Sequence, residues 1–183
     1  MDFEKYKKEF EVKASSQGFS KEIIDLCLKY AKPLVENQVP VIYNTSNLCA
    51  LVGYNKKFIK RSVVYTSYYY RDFEILKKNG KKRLISEPLP SLKEIQYWIL
   101  KNILEKIKIS AFAKAYKRNS SLKENVRFHQ NQNVVVNIDI VDFFPSIKLD
   151  SIEKIFKNLG YSDVISNLLG KLCTRNNTLP QGA

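Results

Sequence analysis

Apolar positions change their period several times along these 183 residues. Within 20–37, Ile23, Ile24, Leu26, Leu28 and Leu34 recur at helical spacing behind Ser20, whose hydroxyl can accept from an early helical N–H. Pro33 predicts a kink in that helix. Residues 3–13 read as a helix before it. Pro40-Val41-Ile42-Tyr43 is extended. Thr45 or Ser46 then opens a short helix through Leu51, stopped by Gly53. Residues 54–69 show no clear period. From 70 to 86 the period falls to two. Phe73 and Ile75 alternate with Asp72 and Glu74, Asn79-Gly80 supplies the positive φ angles of a tight turn, and Leu84 and Ile85 lie in a returning strand that Pro88 and Pro90 end. This is a hairpin. Ser91 caps a helix running to about Ile107, with Ile95, Trp98, Ile99, Ile103 and Ile107 on one face. Further helices are predicted over 119–129, 149–158 and 163–173.

The remaining element is the run Val134-Val135-Val136-Asn137-Ile138-Asp139-Ile140-Val141-Asp142-Phe143-Phe144-Pro145-Ser146-Ile147. Its β-branched residues predict a buried strand over 134–139. A carboxylate at the end of a buried strand is costly unless water, a donor or a metal meets it. Phe-Phe-Pro-Ser breaks the strand into a turn, which puts Asp139 at an opening, where open sheets place their chemistry.

Composition bounds the function. Lys and Arg outnumber Asp and Glu 31 to 18, a net charge of +13, which points to a polyanionic partner, nucleic acid before membrane. The excess is concentrated. Residues 54–83 hold ten basic against two acidic side chains together with Tyr54, Tyr65, Tyr68, Tyr69 and Tyr70, and residues 101–127 hold eight against two. Basic groups track a phosphate backbone while aromatic faces stack on bases. Lys56, Lys57, Lys60, Arg61, Lys81, Lys82, Lys117 and Arg118 are the candidate nucleic-acid contacts. No apolar run approaches the length of a membrane span, and the charged N-terminus has no signal-peptide core. Cys27, Cys49 and Cys173 are odd in number and far apart, which disfavours a disulfide framework or a zinc site and fits a cytoplasmic protein. Cys27 and Cys173 read as small core residues. His129 is the only histidine, so no histidine dyad or cluster can form; a helix-end residue with a structural hydrogen bond is its expected role.

Asn137-Ile138-Asp139 followed by Asp142-Phe143-Phe144-Pro145-Ser146-Ile147 resembles the first palm motif of bacterial retron-type reverse transcriptases. Leu179-Pro180-Gln181-Gly182-Ala183 resembles the opening of their next palm motif, and the resemblance reaches upstream to about Tyr70. Asn125-Val126-Arg127-Phe128-His129 resembles a retron signature with Val126 in place of alanine. The resemblance implies an α+β, right-hand polymerase fold. Residues 1–53 would be a helical N-terminal extension, 54–130 the fingers region with its basic hairpin at 70–86, 131–147 the palm strand with the catalytic Asp motif, 148–178 helices returning to the fingers, and 179–183 the start of the second palm motif. It implies that Asp139 and the backbone carbonyl of Ile140 hold Mg2+, one of two ions. Asp142 and Phe143 would lie with their amides near the triphosphate, and Phe144 would pack under the sugar and exclude a ribose 2′-hydroxyl. Arg83, helped by Lys77 or Lys78, would contact the triphosphate, and Gln181 and Gly182 would border the nucleotide.

The motif that would supply the second carboxylate pair, Tyr-x-Asp-Asp, is absent, and no Asp-Asp pair occurs in the chain. The expectation is therefore fingers and the first part of a palm, truncated before that hairpin and inactive alone. The implied activity is RNA-directed DNA synthesis from deoxynucleoside triphosphates on a structured noncoding RNA that also primes it, in anti-phage defence, with an effector protein as a further partner. Two other readings stay open: another defence-associated reverse transcriptase with a different template or priming mode, and a non-catalytic RNA-binding scaffold of the same fold.

Overall fold

A computed structural model describes residues 2–76, 80–115, 121, 123 and 126–182. Helices dominate, joined by one β-hairpin, an α+β arrangement. Helix α1 (Phe3–Ser16) is followed by α2 (Lys21–Glu36), whose Ser20 hydroxyl accepts from the Ile23 amide at 3.5 Å. Pro33 falls in the last turn of α2. Helix α3 (Thr45–Val52) is capped by Asn44, which accepts from the Asn47 amide at 3.1 Å, and ends at Gly53 with φ 76°. The lysine- and tyrosine-rich stretch without a period contains α4 (Lys56–Val64), capped by Asn55, and a 3₁₀ turn, Thr66–Tyr69.

Strands β1 (Tyr70–Leu76) and β2 (Lys82–Pro88) form the predicted antiparallel hairpin, in register from Tyr70↔Pro88 to Leu76↔Lys82. Its alternation does not sort into a buried and a wet face. Beyond Tyr70, the whole of β1 is exposed, Phe73 and Ile75 included, and β2 is buried only toward its end, at Ser86 and Pro88. Gly80 has the positive φ expected of the turn; Lys77, Lys78 and Asn79 lie outside the described residues.

Helix α5 (Pro90–Asn102) does not use Ser91 as its cap. Leu89 takes that position and Pro90 begins the helix, where its missing N–H costs nothing. The helix stops at Asn102 and a 3₁₀ turn, Leu104–Lys106, follows, so Ile107 is not on its face. Of the predicted 119–129 helix, the 3₁₀ turn Arg127–His129 is described; 116–120, 122, 124 and 125 are not. After a one-turn helix α6 (Phe143–Ser146) come α7 (Leu149–Asn158) and α8 (Asp163–Cys173), close to the predicted limits. A Cβ at Gly170 would stand 2.8 Å from Leu149 Cδ1, so its absence is what lets α7 lie so close on α8.

The core belongs to α2–α5, α7 and α8. Leu34, Ile42, Leu48, Ile59, Leu92, Ile95, Ile99, Ile103, Phe156, Ile165, Leu169 and Leu172 are fully buried in one cluster. The stretch 34–52 thus shares its core with 59–103 and 152–172. A smaller cluster, Ala14, Ile24 and Leu28, joins α1 to α2. The three cysteines are half-buried and free, and burial holds the Cys173 thiol well above its ordinary pKa.

The buried strand predicted over 134–139 is not there. Residues 134–140 are irregular and exposed, Val136 by 74% and Ile138 by 88%. A strand that is apolar on both faces needs neighbours on both sides. Among the described residues the only sheet is the β1–β2 ribbon, so nothing pairs or covers this segment.

Candidate active site

Local backbone chemistry draws three segments together. Asp142 takes the left-handed conformation (φ 50°, ψ 41°), one that aspartate tolerates better than most residues. Its carbonyl accepts from the Ser146 amide at 3.0 Å, and the Ser146 hydroxyl donates to the Phe143 carbonyl at 2.6 Å. Its side chain makes no cap hydrogen bond, so it is not acting as a turn-capping aspartate. The α6 turn sets the Phe143 and Phe144 rings edge to face at 5.5 Å.

The second segment, 175–182, is laid beside the first. Arg175 and Thr178 exchange backbone hydrogen bonds of 2.9 and 3.1 Å around Asn176 and Asn177, whose φ angles of 51° and 61° make a tight left-handed turn. Leu179 N–H then donates to Ile147 O at 3.0 Å, and Leu149 N–H to Asn177 O at 2.9 Å. The third segment is β2, where Ser86 N–H donates to Gln181 O at 2.8 Å. Gly182 (φ 107°) has room for no side chain: a Cβ would stand 2.4 Å from Ile85 Cγ2.

The result is a cavity of about 580 Å³ lined by Arg83, Ile138, Asp139, Ile140, Val141, Asp142, Phe143, Phe144, Pro145 and Gln181. A neighbouring one of about 370 Å³ shares Arg83, Asp142, Pro145 and Gln181 and adds Lys82 and Arg175. Asp139 is exposed and faces the larger cavity instead of dry interior. Its carboxylate and the Ile140 carbonyl are the hard oxygen donors that magnesium takes. Among the described residues no group of three or more His, Cys, Asp or Glu side chains could hold a metal ion. The donors present therefore fit part of a coordination shell and not a complete one.

The other expected residues scatter. Gly182 is exposed at the loop beside β2. Lys82 is exposed and pairs with Glu74 at 2.6 Å, and Lys81 is exposed on the same ribbon. Lys56, Lys57, Lys60 and Arg61 are exposed on α4, away from the linings of both cavities. Lys77, Lys78, Lys117 and Arg118 lie outside the described residues, as does Asn125 of the retron-like signature. His129 is exposed, and no structural hydrogen bond ties its ring to the described residues.

The five tyrosines of the basic stretch separate by partner. Tyr70 is buried, its hydroxyl accepting from Gln96 Nε2 at 2.9 Å. Tyr54 donates to Glu94 and stacks on Phe58, and Tyr69 meets the edge of Phe58 at 5.4 Å. Tyr65 and Tyr68 remain with exposed faces, Tyr68 by 80%, edge to face at 6.4 Å.

One group went unnoticed in the sequence. Arg175 Nη1 donates to Asp72 Oδ1 on β1 and, at 2.9 Å, to Ser86 Oγ on β2, while Ser86 Oγ donates to Asp72 Oδ1 at 2.7 Å. The guanidinium lies over the Tyr70 ring, 5.5 Å from its centroid. Arg175, and after it Ser86, holds the Asp72 carboxyl below the ordinary aspartate pKa. Asn176-Asn177 is a readable turn signal; nothing in the sequence marks the partner of Arg175.

No protein-family model matches the chain. Comparison with curated proteins finds the retron Ec86 reverse transcriptase of Escherichia coli, 33% identical over 147 residues, which are 79% of this chain and 46% of that protein. The retron Se72 reverse transcriptase of Salmonella heidelberg is 36% identical over 148 residues, 80% of this chain and 39% of that protein. The retron Mx162 reverse transcriptase of Myxococcus xanthus is 34% identical over 109 residues, 60% of this chain and 22% of that protein. The chain thus spans less than half the length of these relatives.

Proposed function

We propose that this chain, of the retron reverse-transcriptase type by sequence relationship, is the fingers and first palm portion of an RNA-directed DNA polymerase and binds the incoming deoxynucleoside triphosphate. The observation that carries the reading is the shared cavity. Arg83, Asp139, Ile140, Asp142, Phe143, Phe144 and Gln181 come from β2, the 138–145 turn and the 175–182 loop, and all line one space.

In this reading Asp139 and the Ile140 carbonyl hold one side of a magnesium pair. When bound, that pair stabilises the attacking and leaving oxygens of nucleotidyl transfer. The amides of the 142–143 turn face the phosphates, which a tight turn can cradle without a charged side chain. Arg83 supplies the charge-assisted hydrogen bond that a triphosphate needs. The Phe144 ring lies under the sugar, where a 2′-hydroxyl would collide with it. Gln181, on the wall of the same cavity, borders the nucleotide. The opposing carboxylates belong to a part of the polymerase outside the described cavity, and the chain by itself does not polymerise.

The template is a structured noncoding RNA, which also provides the priming hydroxyl, and the product is DNA linked to it. The strand reaches the site past Tyr65, Tyr68 and the exposed basic face of α4. A role in anti-phage defence with an effector protein extends the same reading to the cell, in the cytoplasm. No described helix is long and apolar enough to cross a membrane.

Primer extension by the polymerase carrying Asp139→Asn tests the proposal. Synthesis should fall by about a thousandfold or more while RNA binding stays within about twofold, because the change removes a metal ligand and leaves the basic surfaces intact. Undiminished synthesis would remove the metal role.

A further inference from the structure

We propose that Arg175 is a positioning residue that fixes the fingers hairpin to the loop carrying Gln181, so that Arg83 and Gln181 close on the same nucleotide. The proposal rests on the nucleotide-site reading above and names residues which that reading does not use.

Arg175 stands where three segments meet. It lies two residues after α8, at the start of the Asn176-Asn177 turn that delivers Gln181. Its guanidinium reaches both strands of the hairpin, Asp72 on β1 and Ser86 on β2. The Ser86 residue that accepts from this guanidinium through its hydroxyl also donates its backbone N–H to Gln181 O at 2.8 Å. A closed ring of contacts therefore runs from Arg175 through its own loop to Gln181, across to Ser86 and back to Arg175. Arg83 is three residues from Ser86 on the same strand.

Two further features indicate positioning over direct phosphate binding. The charge of Arg175 is already met by Asp72, and the guanidinium face is covered by Tyr70. Its Nε is buried and makes no hydrogen bond among the described residues. Both hydrogen bonds leave one nitrogen, Nη1, and the direction of the group is fixed by its plane lying over the Tyr70 ring, a contact that an ammonium on a flexible stem does not reproduce. The hairpin needs such a hold. Beyond Tyr70 β1 is exposed, and so are Lys82, Arg83 and Leu84 of β2.

The test compares Arg175→Ala, Arg175→Lys and Asp72→Asn in the polymerase, with Asp139→Asn in parallel. Arg175→Ala and Asp72→Asn should each raise KM for the complementary deoxynucleotide about tenfold and leave kcat within about twofold, because the palm carboxylate is untouched. Arg175→Lys should recover the ion pair but not the planar contact with Tyr70, and should fall between Ala and wild type. Hydrogen exchange should speed up at the Ser86 and Thr178 amides in Arg175→Ala while the amides of α5 and α8 keep their protection. That second measurement separates a loosened hinge from general unfolding. Unchanged KM in the Arg175→Ala and Asp72→Asn variants, or unchanged exchange at Ser86, overturns the positioning role. If Asp139→Asn retains synthesis, the nucleotide-site reading itself has failed.

Discussion

Single side chains carry the sharpest expectations. Arg83 is exposed at the mouth shared by both cavities. Losing a hydrogen bond to a charged group costs about 1.5–3 kcal/mol, so Arg83→Ala should raise KM for deoxynucleotide roughly 10- to 100-fold and change template affinity little. Steady-state kinetics beside an RNA-binding titration would place Arg83 on the template if the pattern reversed. Phe144→Ala should raise incorporation of ribonucleotide relative to deoxynucleotide by about tenfold, the scale on which one steric contact discriminates; constant sugar selectivity would remove the gate. Asp72 carries a pH signature. Its folded-state pKa is lowered, first by Arg175 and then by Ser86. Its contribution to stability is therefore whole above the ordinary aspartate range and is lost as pH falls through the lowered value. Thermal unfolding of wild type and Asp72→Asn should differ at neutral pH and converge in strong acid. At this scale the sequence is legible where a short motif gathers residues, as with Asp139 and Phe144, which line one cavity, and silent where a partner is distant in the chain. Arg175 and Asp72 are 103 positions apart, and no local pattern links them.

Elements were legible in proportion to how far local chemistry decides them. The α1–α3 region, the hairpin and α7–α8 follow helical periodicity, the Ser20 cap and a period of two that turns at Gly80, all short-range signals; α3 is capped by Asn44 where Thr45 or Ser46 was expected to open it. The cap of α5 shows two local rules in competition: Ser91 is a good cap, yet Pro90 is a better first helical residue, and Pro90 prevailed. The 134–139 strand shows the opposite limit. Its composition is that of a buried strand, but a strand exists only with partners, and none lies among the described residues. The ribbon and the 175–182 loop make an element-scale prediction of their own. Gly182→Ala adds a Cβ where φ is 107° and Ile85 Cγ2 is 2.4 Å away, so the loop should lift off β2. Faster hydrogen exchange at the Ser86 amide is the expected readout. On the nucleic-acid side, α4 and the following turn offer separable effects. Tyr68→Ala should weaken binding of a single-stranded oligonucleotide by about 1–3 kcal/mol without changing its salt dependence. Lys60→Ala should flatten that salt dependence by about one charge.

At the scale of the whole molecule, the core and the candidate site sit in different places. The core runs through α2–α5, α7 and α8, and Phe156 is fully buried in it. Phe156→Ala should cost about 3–5 kcal/mol and lower Tm by about 10 °C. The site, by contrast, is assembled from a projecting ribbon, an exposed turn and a loop held by backbone hydrogen bonds. The net charge of +13 favours association with a polyanion and says nothing of which one. The central claim is that Asp139 grips magnesium beside a triphosphate reaching toward Arg83. A crystal structure of the proposed polymerase, with RNA template, primer, deoxynucleotide and Mg2+, examines it directly. The account predicts a metal bonded to an Asp139 oxygen and to the Ile140 carbonyl, with the phosphates against Arg83 and the 142–143 amides. A metal and nucleotide held elsewhere, with Asp139 turned away from both, would contradict it.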